Sequence, residues 1–183
     1  MNKQAALPLV LLTLAVALPA SAETYLTPFA GAALGGNTDD SKLTFGGDLA
    51  FAGRGPFGFA ADFGYTKHFF GSTAPIGDNN VTTLMGNLML ISPHGRTRIY
   101  ASAGLGLLKT RVKDVTGFFD VDSTDFGFNA GGGIYIFGNG GLGFRADIRY
   151  FRTLTDPEPD GEFDVDLGNL DYWRATAGVT LRF

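Results

Sequence analysis

From residue 23 to the final Phe183, apolar side chains recur at every second position, and glycines sit within these runs where they would destabilise a helix. Period two belongs to strands, because successive side chains on a strand point to opposite faces. Eight such runs can be read, over residues 27–36, 42–53, 57–69, 81–92, 98–110, 126–137, 141–154 and 172–183. Each has about the 9–11 residues that a tilted strand needs to cross a bilayer, or slightly more. After residue 22 there is no stretch of about 18 apolar residues that could cross as a helix, so any membrane role falls to strands. Three connections are tight and turn-like: Arg54-Gly55-Pro56, Pro93-His94-Gly95-Arg96 and Gly138-Asn139-Gly140. They alternate with four connections that are mostly longer and more acidic, at 37–41, 71–80, 111–125 and 155–171. The expected fold is an all-β, eight-stranded, antiparallel up-and-down barrel with short turns at one end and long loops at the other. That is the layout of a transmembrane β-barrel.

The first 22 residues have a different pattern. Lys3 precedes a nearly continuous apolar stretch over 5–18, and Ala20-Ser21-Ala22 places Ala20 and Ala22 at the small positions of a signal peptidase site. The expected organisation is a cleavable export signal over 1–22 and one barrel domain over 23–183. Composition narrows the function classes. With no Cys, disulfide frameworks, Cys-ligated metals and thiol catalysis are excluded. A formal net charge of -4 argues against a nucleic-acid partner.

Alternation alone does not say which face is inside, so a soluble lipid-binding barrel of the lipocalin kind competes with a membrane barrel. Residue size separates them. In 57–65 one face is Phe57, Phe59, Ala61, Phe63 and Tyr65, and the other is Gly58, Ala60, Asp62 and Gly64. In 99–107 the faces are Ile99, Ala101, Ala103, Leu105 and Leu107 against Tyr100, Ser102, Gly104 and Gly106. The polar face is mostly small, whereas a water-facing surface would carry many Lys and Glu. An eight-stranded interior just accommodates side chains, so the small face is expected inside and the bulky face against lipid.

On this parity the inward polar residues are Asp48, Asp62, Asn87, Asn129, Arg145, Asp147, Arg149 and Arg174. Of these, Asp48, Asp62, Asn87, Arg145 and Asp147 are expected to cluster near mid-height. Three Asp and three Arg sum to zero, as expected for buried groups that stay ionised only when paired. The expected result is a lumen plugged by Arg-carboxylate pairs; a narrow ion-conducting pore is the alternative. Aromatics near strand ends are expected to form two interfacial girdles: Tyr65, Phe69, Tyr150, Tyr172 and Trp173 toward the long loops, and Phe51, Phe57, Phe137 and Phe183 toward the short turns.

The last strand supports the same parity, with Trp173, Ala175, Ala177, Val179, Leu181 and Phe183 on one face and Arg174, Thr176, Gly178, Thr180 and Arg182 on the other. A terminal strand of alternating apolar residues ending in Phe resembles the last strand of bacterial outer-membrane proteins. The segment Gly-Phe-Arg-Ala-Asp-Ile-Arg-Tyr over 143–150 resembles the corresponding strand of the small OmpA/OmpX-type barrels. The resemblance covers the whole chain after residue 22. It implies an integral protein of the bacterial outer membrane, in contact with outer-membrane lipid and lipopolysaccharide. It also implies that Trp173, Val179, Leu181 and Phe183 carry the signal read by the barrel-assembly machinery. The chain is expected to be the barrel alone, as a monomer without cofactor.

Enzymatic chemistry finds little support in the residues. Lipid A deacylases on similar barrels show a His-x-Ser pair, and neither His68-Phe69-Phe70 nor His94-Gly95-Arg96 matches it. Asp156, Glu158, Asp160 and Gly161, followed by Asp164 and Asp166, have a superficial likeness to a calcium loop. Leu167 occupies the position of the bidentate Glu, however, and prolines interrupt the run. Asp120, Asp122 and Asp125 form a second acidic group. These loops are read as solvated charge facing outward, open to an extracellular partner, and no metal site or catalytic residue is assigned.

Overall fold

The computed structural model describes residues 23–38, 40–53, 55–69, 76–93, 95–114, 120–154 and 170–183. The expected signal over 1–22, with Ala20 and Ala22, lies outside them, as do His94 and the acidic run over 156–166.

Eight strands make up the described chain: β1 Glu23–Leu34, β2 Lys42–Ala52, β3 Phe57–Lys67, β4 Ile76–Ile91, β5 Thr97–Asp114, β6 Asp120–Phe137, β7 Leu142–Thr153 and β8 Asp171–Arg182. Each strand pairs antiparallel with the next, and β8 returns to β1 to close the barrel. The seam is complete at the short-turn end, where Thr24 and Phe183 exchange both backbone hydrogen bonds, at 3.2 and 2.9 Å. Closure leaves no edge strand around the wall, which is the condition for carrying a sheet through hydrocarbon. The β6–β7 turn is tight because Gly140 and Gly141 take φ of +89° and +84°, a region other residues enter only with strain.

Several boundaries differ from the sequence expectation: β1 runs over Glu23–Leu34 rather than 27–36, and three strands reach further toward the long loops. Residues 76–80, 111–114 and 120–125 are strand rather than loop, so β4, β5 and β6 run to 16, 18 and 18 residues. Their polar alternation resembles a loop because a hairpin standing beyond the membrane needs no apolar face. Asp120 and Asp122 therefore lie on β6, in register with Lys113 and Arg111.

The faces follow the size argument. Phe57, Phe59 and Phe63 on β3, Leu84, Leu88 and Leu90 on β4, and Ile99, Leu105 and Leu107 on β5 are all exposed. With the corresponding residues of the other strands they form a continuous apolar belt, far larger than a soluble monomer exposes.

The interior has three layers. Nearest the short turns, Tyr25, Met89, Ile91, Tyr100, Tyr135 and Phe137 pack with Ala50, Ala52 and Ala60. Nearest the long loops, Ala33, Phe69, Val81, Met85, Leu108, Phe151, Leu170 and Tyr172 pack together. Charged residues lie between. Three expected girdle members, Phe69, Phe137 and Tyr172, thus face inward as parts of these plugs. Trp173, Phe57 and Phe183 face outward, and Tyr65, Tyr150 and Phe51 are half-buried.

Candidate functional site in the barrel lumen

Register explains how the charged layer is built. Asp48 on β2 is the direct partner of Asp62 on β3, and Arg149 on β7 is the direct partner of Arg174 on β8. Like charges directly opposite on neighbouring strands destabilise a sheet. Asp147, on the same strand as Arg149, answers part of the basic pair's charge. The rest of the relief comes across the closed barrel, where the acidic wall of β2–β3 faces the basic wall of β7–β8.

Arg149 is at the centre, fully buried. Its Nε lies 2.9 Å from Asp147 Oδ1, its Nη1 3.6 Å from Asp62 Oδ2 and its Nη2 3.7 Å from Asp48 Oδ2. Arg174 Nη2 donates to Asp62 Oδ1 at 2.6 Å and its Nη1 to Thr83 Oγ1 at 3.4 Å. The Arg174 guanidinium is held between the rings of Phe29 and Phe151, 5.0 and 4.5 Å from their centroids. Arg145 reaches Asp48 Oδ1 and Asp147 Oδ2, both at 3.1 Å. Its Nε donates to the Tyr100 hydroxyl at 2.6 Å, and that hydroxyl donates to Asp147. The Arg145 guanidinium also lies over the faces of Tyr100 and Tyr135 at 5.4 and 5.6 Å. Planar guanidinium suits this role, since it combines several fixed donors with a face that stacks on aromatic rings. Three carboxylates and three guanidiniums leave the layer electrically neutral, the condition for keeping such groups ionised away from water.

All eight lumen residues expected from the alternation lie inside the barrel and are buried. The network brings together six of them. Asn87 and Asn129 stand apart: Asn87 Nδ2 donates to the Met85 carbonyl at 3.4 Å, and Asn129 sits in register between Gly104 and Phe151. Close packing here depends on a missing side chain at Gly64, where a Cβ would meet Arg174 Nη1 at 2.2 Å and Thr83 Oγ1 at 2.7 Å.

A second polar node was not expected. Arg98, buried near the short turns, donates to Glu23 Oε2 at 2.6 Å, to the Tyr25 hydroxyl, to the Ser92 carbonyl at 3.0 Å and to the Pro93 carbonyl at 2.5 Å. It ties the first residue of β1 to the β4–β5 turn across the lumen mouth. The signal was available, because Arg98 shares the parity of Tyr100 and Ser102. Tyr100 and Tyr135, which finish the coordination of Arg145, lie on the inward parity too.

Of the chemistry-bearing residues outside the lumen, His68 has a φ of +50° and its backbone N donates to the Asn79 carbonyl at 2.7 Å, so it closes the top of β3. Asp125 accepts a hydrogen bond from Ser123 Oγ at 2.9 Å.

Comparison with known proteins agrees with this architecture. The family model described as outer membrane protein beta-barrel domain matches residues 8–183. Among solved structures, Neisserial surface protein A superposes with a TM-score of 0.66 at 16% identity, covering 88% of this chain and 97% of that one. The N-terminal β-barrel domain of Pseudomonas aeruginosa OprF gives 0.59 at 15% identity, covering 89% and 98%. Ail, the attachment invasion locus protein of Yersinia pestis, was solved in complex with the heparin analogue sucrose octasulfate. It gives 0.56 at 15% identity, covering 88% and 99%. At these identities the likeness concerns the fold. No curated protein matches the sequence.

Proposed function

The chain belongs to the outer membrane protein β-barrel domain family and is an integral outer-membrane protein, and on that premise we propose that it is a closed, non-enzymatic, monomeric barrel with a structural or cell-surface interaction role. The single observation behind this reading is the stacking of a neutral ion network between two aromatic-rich layers, which fills an interior already narrow for eight strands. An ion entering from either end would have to displace packed rings and then enter a layer where each charge already has a fixed counter-charge. The short turns and both ends of the described chain face the periplasm in this reading, and the long loops face out. Trp173, Val179, Leu181 and Phe183 line the outward face of the closing strand, where assembly machinery could read them before closure.

An interaction role would fall to the long loops. Residues 155–169 carry Asp156, Glu158, Asp160, Glu162, Asp164 and Asp166 without a basic residue. A sulfated sugar analogue occupies Ail, but acids of this density would repel such a ligand and suit a cationic surface instead. The test is salt and small-sugar efflux from vesicles holding refolded 23–183, with an unheated gel to verify folding. Retention of both solutes is the expected result. Rapid salt efflux from vesicles of folded protein would overturn the closed reading in favour of a narrow pore.

A further inference from the structure

An asparagine carboxamide carbon lies within reach of the backbone nitrogen of the next residue. Whether that nitrogen attacks depends on its own hydrogen bond, on the bulk beside it and on its access to water. Asn79, Asn80, Asn87 and Asn129 lie within strands, and the residues that follow them, Asn80, Val81, Leu88 and Ala130, each have register partners on both sides. Asn37 is followed by the β-branched Thr38, whose nitrogen donates to the Gly35 carbonyl at 3.2 Å, and its own carboxamide oxygen accepts from the Asp171 nitrogen at 2.8 Å. Asn139 differs in each respect. It is exposed in the β6–β7 turn and is followed by Gly140, where even an added Cβ would meet nothing within 4 Å. The turn is held by its neighbours: the Gly138 nitrogen donates to the Leu142 carbonyl and the Arg182 nitrogen to the Gly141 carbonyl, both at 2.8 Å. Among the described residues the Gly140 N–H has no hydrogen-bond partner. Arg96, beside the β4–β5 turn, donates from Nη2 to Asn139 Oδ1 at 3.0 Å. A cationic donor on that oxygen polarises the carboxamide carbon toward attack and steadies the charge that develops there. It also leaves Nδ2, the group that would depart, unheld.

We propose that Asn139 is a site of spontaneous, backbone-assisted deamidation, converted to a carboxylate that pairs with Arg96. The Gly140 nitrogen gives its proton to the surrounding water and attacks Asn139 Cγ. The new N–Cγ bond closes a five-membered imide, the Cγ–Nδ2 bond breaks, and the side-chain amide takes up a proton and leaves as ammonia. Water then opens the ring. Cleavage of the new N–Cγ bond gives Asp at 139, and cleavage of the original peptide bond to Gly140 gives an isoaspartyl link that runs through Cγ. Overall one water is consumed and one ammonia released. The Asp product turns a neutral contact between the two turns into a charge-assisted one. The isoaspartyl product inserts a methylene into the backbone just before the Gly141 carbonyl that anchors Arg182, and so loosens the end of the closing strand beside the Thr24–Phe183 seam. Both short turns meet water whichever end of the barrel faces out, so this inference is independent of the proposed orientation.

The test holds folded 23–183 in phosphatidylcholine vesicles in warm, mildly alkaline buffer, then digests it and maps the peptides by mass spectrometry over time. The peptide containing Asn139 should gain the mass of an amide-to-acid change, as separable Asp and isoaspartyl forms, several-fold faster than any other Asn peptide. A mildly acidic buffer should slow the change, because the attacking nitrogen must lose its proton. Asn139→Gln, whose imide would need a sixth ring member, should stay unmodified. Arg96→Gln should slow the reaction several-fold while an unheated gel shows the same folded band. The wild-type reading needs no variant to fold. Asn139 left intact in the folded barrel while it reacts in urea-unfolded chain, another Asn reacting as fast, or an Arg96→Gln barrel reacting at the wild-type rate would overturn the proposal.

Discussion

Arg149→Ala removes the one side chain that touches all three buried carboxylates, at 2.9, 3.6 and 3.7 Å. Asp48 and Asp62 would remain side by side on neighbouring strands, and the layer would carry a net charge of one acid inside a wall facing lipid. At an effective dielectric of about 20, a contact at 2.9 Å gives an attraction of roughly 6 kcal/mol. Repulsion from Arg145 and Arg174 and the recovered hydration of the freed groups cancel part of it. Breaking a buried pair by deleting one partner typically costs about 3–5 kcal/mol, or two to four powers of ten in the folding equilibrium. The assay is reversible urea unfolding in lipid vesicles, followed through Trp173, the chain's only tryptophan, whose ring faces outward on the closing strand. Arg149→Met combined with Asp48→Asn restores neutrality, and it should destabilise less than the sum of its single substitutions by about 0.5–3 kcal/mol. A cost below about 1 kcal/mol for Arg149→Ala, or strict additivity in the double variant, would refute the argument that barrel closure neutralises the two like-charged hairpins.

Other expectations concern positions around this layer. Gly64→Ala places a methyl 2.2 Å from Arg174 Nη1 and should weaken its contact with Asp62, costing about 1–3 kcal/mol in the same unfolding assay. Leu88→Arg, on the exposed belt of β4, should cost about 2–4 kcal/mol in vesicles, because a charge at mid-bilayer depth is destabilising there. Phe183→Ala should change stability in vesicles little, since the ring is 74% exposed and the residue is held by backbone bonds to Thr24. In cells the same variant should accumulate as unassembled protein, as measured by the unheated-gel folded fraction in outer-membrane preparations.

Strand parity made the inner and outer faces legible in the sequence, and with them Asp48, Asp62, Arg145, Asp147, Arg149 and Arg174. Which acid meets which base was not legible. That depends on the stagger of eight strands around a closed wall, and Arg174 meets Asp62 across 112 positions of sequence. Tyr172 and Phe137 show where proximity misleads. Both lie near strand ends, as girdle residues do, but they share the parity of Arg174 and Asn129 and so point inward to cap the charged layer. The extended β5–β6 hairpin was hidden for a different reason. Residues 111–114 and 120–125 are mostly polar, with Val112 opposite Val121 the only apolar pair, and in water the backbone ladder, rather than apolar burial, continues the strands.

The central claim is that a paired ion layer closes the lumen, and single-channel recording tests it most directly. Folded 23–183 in planar bilayers should be electrically silent, while Arg145→Ala/Arg149→Ala, which opens the ion layer between the two aromatic caps, should show small steps. Steady, ion-selective steps from the wild-type barrel would contradict the account.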